Sequence, residues 1–142
     1  MTSGILIKPG LVLSLLLLAL SPILAQQGIK GKVEWREGNL MPGPDQQEIQ
    51  GKGIRRTLWI YPVITTGQAT QDGVFFSNIT ALPMKKVRSN RHGKFCVKLP
   101  AGMYSVLVEE DDGLFANRFN QHGQINPIEV IKGKFTELTI VV

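Results

Sequence analysis

Two histidines, one cysteine and a run of four acids are the residues of this 142-residue chain whose types could do chemistry. A hydrolase needs a nucleophile, a base and a group that orients the base. His92 and His122 each stand directly before a glycine in turn-forming sequence, and no serine or threonine occupies a nucleophile elbow. Zinc needs three or four ligands at a recognisable spacing, which two isolated histidines and Cys96 do not supply. Glu109-Glu110-Asp111-Asp112 offers the oxygens calcium prefers, but consecutive acids lack the alternating spacing of an ion-wrapping loop and read as a solvated turn. Asn78-Ile79-Thr80 matches an N-glycosylation acceptor, which matters in a host that modifies such sites. Lys32 has the amine of a Lys–Asn isopeptide bond, but Phe135 to Val142 holds no Asn or Asp to meet it. The chain therefore reads as a non-enzyme with no catalytic, cofactor-binding or metal-binding residue and no cofactor.

The elements around these residues begin with a leader. Leu11 to Leu20 is apolar except for Ser14, and Ser21-Pro22 breaks the run ahead of Ala25. This is the layout of a signal peptide over residues 1–25, with Gln26 as the first mature residue. The run falls short of the ~20 residues a helix needs to cross a bilayer, and no second apolar segment follows. The expectation is an exported protein, periplasmic or extracellular, with no membrane span after leader removal. The single Cys96 excludes an internal disulfide, so stability must come from a hydrophobic core. Its place in an alternating run predicts a partly covered small hydrophobe on a strand.

Loss of Lys8 with the leader turns 16 Lys and Arg into 15, against 11 Asp and Glu. A mildly basic balance favours solubility and weak attraction to anionic surfaces. Lys85, Lys86, Arg88 and Arg91 lack interleaved aromatics and read as a solvated basic loop, so nucleic acid is not an expected partner.

Period-two alternation dominates the mature chain. Ile29 to Arg36 places Ile29, Gly31, Val33 and Trp35 on one face of a half-buried strand. Gly38 to Arg56 has no period and reads as a long loop. Thr57 to Val63 is a strand ending near Pro62, Thr65 to Gly73 a polar connection, Val74 to Ser77 a short strand, and Ala81 to Val87 an extended piece leading into the basic loop. Lys94 to Leu99 and the run carrying Tyr104, Val106 and Val108 read as strands with one wet side, joined by Pro100-Ala101-Gly102. The acidic run ends the second in a tight turn before Leu114 to Phe119. Ile125 to Ile131 and Phe135 to Val142 complete the set, with no helical period and no internal repeat. About seven short strands between turn signals predict an all-β, Greek-key β-sandwich.

Gly31-Lys32-Val33, Gly93-Lys94-Phe95 and Leu99-Pro100-Ala101-Gly102-Met103-Tyr104 resemble the carboxypeptidase regulatory-like domain, a transthyretin-like (prealbumin-like) sandwich. The likeness spans residues 26–142 loosely and Gly93 to Val108 well. It implies structural roles: Pro100 and Gly102 for the turn, and Tyr104 with a buried ring and a hydroxyl bonded near the surface. It also implies a domain that accompanies other activities. The chain departs from the pattern at Pro44 to Arg56.

The expected function is binding or structural support of a protein or glycan at the cell envelope, with specificity in the Gly38 to Arg56 loop. A carbohydrate-binding module stacking sugars on Trp35, Trp59 or Tyr61 is the alternative, and a small transthyretin-like hydrolase a distant third. Intact-mass measurement of the exported protein is expected to give a chain beginning at Gln26. A mass that retains Met1 to Ala25 overturns the leader assignment.

Overall fold

The computed structural model describes residues 26–37 and 51–142. The expected leader and residues 38–50 of the expected loop lie outside the described residues. In chain order the first strands are β1 (Gly28–Trp35), β2 (Lys52–Gly53), β3 (Thr57–Pro62), β4 (Thr70–Asp72), β5 (Phe75–Ser77) and β6 (Lys85–Arg88). They are followed by β7 (Lys94–Lys98), β8 (Gly102–Glu110), β9 (Gly113–Phe115), β10 (Pro127–Val130) and β11 (Phe135–Val141). Seven of these are four residues or longer, while β2, β4, β5 and β9 have only two or three.

The strands form an all-β sandwich of a four-stranded and a seven-stranded sheet. In the smaller sheet β1 is central, with β11 parallel to it on one edge and β7, then β2, antiparallel on the other. In the larger sheet β8 pairs with β3 along one side, and β3 pairs outward with β6. Along the other side β8 pairs first with β10 and then with β9, which continues the sheet through β5 to β4.

Alternation fills the space between the sheets. Ile29 and Val33 of β1, Phe95 and Val97 of β7, and Leu138 and Ile140 of β11 point inward from one sheet. Leu58, Ile60, Tyr104, Val106 and Val108 meet them from the other. Gly31 lies where β1 and β11 approach most closely, and a methyl group there would overlap the Leu138 carbonyl.

The Pro100 to Tyr104 connection behaves as its residues require. Gly102 adopts φ +154°, and the Tyr104 hydroxyl donates to the Pro100 carbonyl at 2.6 Å while its ring is buried. The two His-Gly turns are built alike. Asn90 Oδ1 accepts from the backbone N–H groups of His92 (2.9 Å) and Lys94 (3.0 Å), and Gly93 takes φ +79°. Asn120 Oδ1 accepts in the same way from His122 and Gln124, both at 3.0 Å, and Gly123 takes φ +70°. Each asparagine side chain substitutes for a missing backbone partner, and each histidine is left outside.

Several elements differ from the sequence expectations. β8 has no wet side: Tyr104 to Val108 are all buried, because Ser105 and Leu107 face a second cluster with Tyr61, Ile64, Phe76, Ala116 and Ile125. The polar stretch before Gly73 contains a 3-10 turn (Thr66–Gln68) and the edge strand β4, since Gly73 at φ +62° folds Thr70–Asp72 back onto β5. The end of the expected loop forms β2 on Glu34 and Trp35. Trp35 is 43% exposed, because β1 overhangs the core where only two-residue β2 flanks it. The extended piece expected up to Val87 is strand β6 (Lys85–Arg88), so most of the basic cluster lies on a strand rather than in a loop, and Cys96 is exposed, pointing away from the core between Lys94 and Lys98.

Gly31→Ala is expected to lower unfolding stability by about 3 kcal/mol, since two backbones must separate to admit one methyl group. Denaturant unfolding checks this, and an unchanged midpoint contradicts the close β1–β11 approach.

Candidate functional site

The outer face of the larger sheet carries the most developed surface among the described residues. Antiparallel register sets Trp59 of β3 between Lys86 of β6 and Leu107 of β8, with Arg88 two residues from Lys86 and opposite Thr57. Trp59 and Tyr61 share this face at the period of two, their rings 6.4 Å apart and inclined by 23°. Lys86 Nζ lies 3.6 Å over the Trp59 ring, a cation–π contact. The indole N–H donates to Glu109 Oε2 at 2.9 Å. Trp59 is thus fixed on its face and at its nitrogen, and Tyr61 is buried beneath the chain that follows.

A groove of about 450 Å³ opens beside these rings, lined by Trp59, Phe76, Ile79, Leu82 and Leu114. Leu82 stands at its rim, 84% exposed. A second, charged cleft of about 370 Å³ is lined by Arg55, Arg56, Arg88, Glu109, Glu110 and Asp111. Glu109 and Glu110 line both, so an apolar and a charged compartment join across one pair of carboxylates.

Local bonds hold the charged wall. Buried Ser89 Oγ accepts from the Arg56 N–H at 2.8 Å and donates to the Ile54 carbonyl at 2.8 Å, fastening the chain just ahead of β3. Arg56 Nε donates to Glu110 Oε1 at 2.7 Å, and its Nη1 donates to the Arg55 carbonyl at 2.8 Å. Among the described residues Arg55 and Arg88 have no carboxylate within 4 Å, so two guanidinium groups stand free at the cleft.

The residues singled out by type are not gathered into one place. His92 and His122 sit in separate exposed turns, and Cys96 is on the opposite sheet. Among the described residues no three His, Cys, Asp or Glu side chains converge as metal ligands. The acidic run splits: Glu109 and Glu110 end β8, while Asp111 and Asp112 form the turn into β9. Asn78 lines the groove at φ +50°, its Nδ2 donating to Thr70 Oγ1 at 3.4 Å. Sequence reasoning missed Lys86 as the partner of an aromatic, because the aromatic comes from the neighbouring strand. The alternation Thr57, Trp59, Tyr61 set against Lys86 and Arg88 was the only available signal. Among the described residues no helix is long and apolar enough to cross a membrane.

No protein-family model, curated protein or solved structure matches this chain.

Burial raises the phenol pKa of both Tyr61 and Tyr104 above the ordinary value of 10.0, because it disfavours the charged phenolate. A folded-state pKa above the unfolded one contributes stability that is fully present below pH 10 and is lost as pH rises through the folded value. These are the chain's only two tyrosines. Ultraviolet titration is expected to show tyrosinate forming later in the native protein than in urea, with stability falling over the same interval. Coincident native and unfolded curves contradict the burial of both rings.

Proposed function

We propose that this protein is an exported, non-catalytic β-sandwich that binds an extended segment of a protein partner at the cell envelope. The observation that carries the reading is that the apolar groove and the charged cleft adjoin, both lined by Glu109 and Glu110. Such a surface suits a peptide that lays an apolar side chain against Leu82 and Leu114 and an acidic one against Arg55 and Arg88. The free guanidiniums supply the charge complementarity, and their fork geometry favours a carboxylate. The chain entering β3 supports the expected role of the Gly38 to Arg56 loop, since its described end delivers Arg55 and Arg56 to the cleft.

The resemblance to the carboxypeptidase regulatory-like domain is part of this proposal, because members of that type support other activities without performing one. Sugar stacking is less favoured as a reading at Trp59 and Tyr61, because the Trp59 face is taken by Lys86 and Tyr61 is buried; of the three candidate rings Trp35, 43% exposed, is the one left open to it.

A photoreactive side chain at position 82, tested in the exporting cell, is expected to form an adduct with a polypeptide. Combining it with Arg55→Glu and Arg88→Glu should reduce that adduct about tenfold, the effect of losing roughly 1.4 kcal/mol. An adduct unchanged by the charge reversals sinks the two-compartment site, and an adduct containing only glycan sinks the protein partner.

A further inference from the structure

The opposite side of the molecule, the outer face of the smaller sheet, has a different character. Alternation turns Lys30, Lys32 and Glu34 of β1 outward, together with Lys94, Cys96 and Lys98 of β7. The register sets Lys30 opposite Cys96 and Lys32 opposite Lys94. Two like charges directly opposite in an antiparallel pair destabilise the sheet, so Lys32 and Lys94 are placed there against the interest of the fold.

The carboxylates on this face do not balance its cations. Glu34 is shared between Lys32 at 3.3 Å and Arg36 at 3.4 Å, and Glu137 meets Lys30 at 3.7 Å. Among the described residues Lys94 and Lys98 have no carboxylate within 4 Å. The surface is also concave: a hollow of about 480 Å³ is lined by Lys30, Lys32, Lys94, Cys96, Glu137 and Thr139. Three lysine side chains therefore line one depression.

We propose that this face is a docking surface for an acidic polysaccharide, whose carboxylate or sulfate groups enter the hollow lined by Lys30, Lys32 and Lys94 and whose chain continues past it to Lys98 on the same face. Charge complementarity selects a polyanion. The outward residues of β1 and β7 include no aromatic, which removes the stacking platform that single-stranded nucleic acid uses, and Phe95 is turned into the core. Outward β1 and β7 likewise offer no large apolar side chain to anchor in a bilayer, and a concave surface meets a narrow chain better than a planar array of headgroups. Because the two sheets face opposite ways, a protein held by this face presents the Trp59 groove outward. The inference does not depend on the groove being a binding site.

The test is retention of the exported protein on immobilised polygalacturonate and heparin, with phosphatidylserine-containing vesicles and a single-stranded oligonucleotide as competing probes. The wild-type protein is expected to bind polysaccharide at low salt and to release progressively as salt rises. Lys94→Glu with Lys98→Glu should weaken binding about tenfold or more, since each reversal replaces an attraction by a repulsion. Arg118→Glu with Lys132→Glu changes net charge by the same amount at exposed positions outside this hollow and should leave binding within about twofold. Equal loss in both double variants overturns the proposal, as does tighter binding of vesicle or oligonucleotide, or no polysaccharide binding at low salt. Lys94→Gln and Lys98→Gln, which introduce no new charge at exposed sites, provide the same comparison if the reversed variant does not fold.

Discussion

Strand β8 is the wall on which both halves of the molecule lean. Its residues Tyr104 to Val108 are buried without interruption, the even-numbered ones toward the smaller sheet and the odd-numbered ones toward Tyr61, Ile64 and Ile125. A strand covered on both faces must carry apolar or internally bonded side chains at every position, and this one does. The exception in type, Ser105, confirms the constraint: its Oγ accepts the Ile64 N–H at 3.0 Å and so ties the covering chain to the strand. Asn126 does the same from the other side by donating its amide to the Val106 carbonyl. Without that second layer Trp59 would lie on an open sheet, and no groove would form beside it.

Much of the architecture could be read from single strands. Phe95, Val97 and Leu99 face the core while Lys94, Cys96 and Lys98 face water, as period two requires. Tyr104 bonds the Pro100 carbonyl, as expected of a tyrosine beside such a turn. What escaped was everything that depends on a neighbour. Leu107 looks like a residue on a wet face until the chain from Ile64 to Ala69 and from Ala116 to Ile125 is laid over it. Lys86 looks like part of a solvated loop until β6 is paired with β3 and the ammonium meets Trp59. Cys96 is more exposed than its apolar character predicts, because it points away from the core between two lysines. Local pattern determines which way a side chain points, but the cover on either side comes from distant sequence.

The candidate site was legible only in part for the same reason. Arg56 and Glu110 are 54 residues apart and meet at 2.7 Å, and Trp59 and Glu109 are 50 apart and meet at 2.9 Å. No short motif contains either pair. By contrast, the paired Asn-x-His-Gly turns are wholly local, and their repeated geometry follows from the asparagine and glycine that each contains.

The parallel pairing of β1 with β11 joins the first and last described strands along seven residue pairs, Gly28–Phe135 through Glu34–Val141. The two partners lie far apart in sequence, Gly28 meeting Phe135, so the inner surface of β1 waits for Leu138 and Ile140 before it is covered. A core closed by so distant a pairing cannot close early. Until β11 arrives, β1 keeps one edge and part of its apolar face open, which makes this single long-range pairing the step on which the lasting burial of Ile29 and Val33 depends.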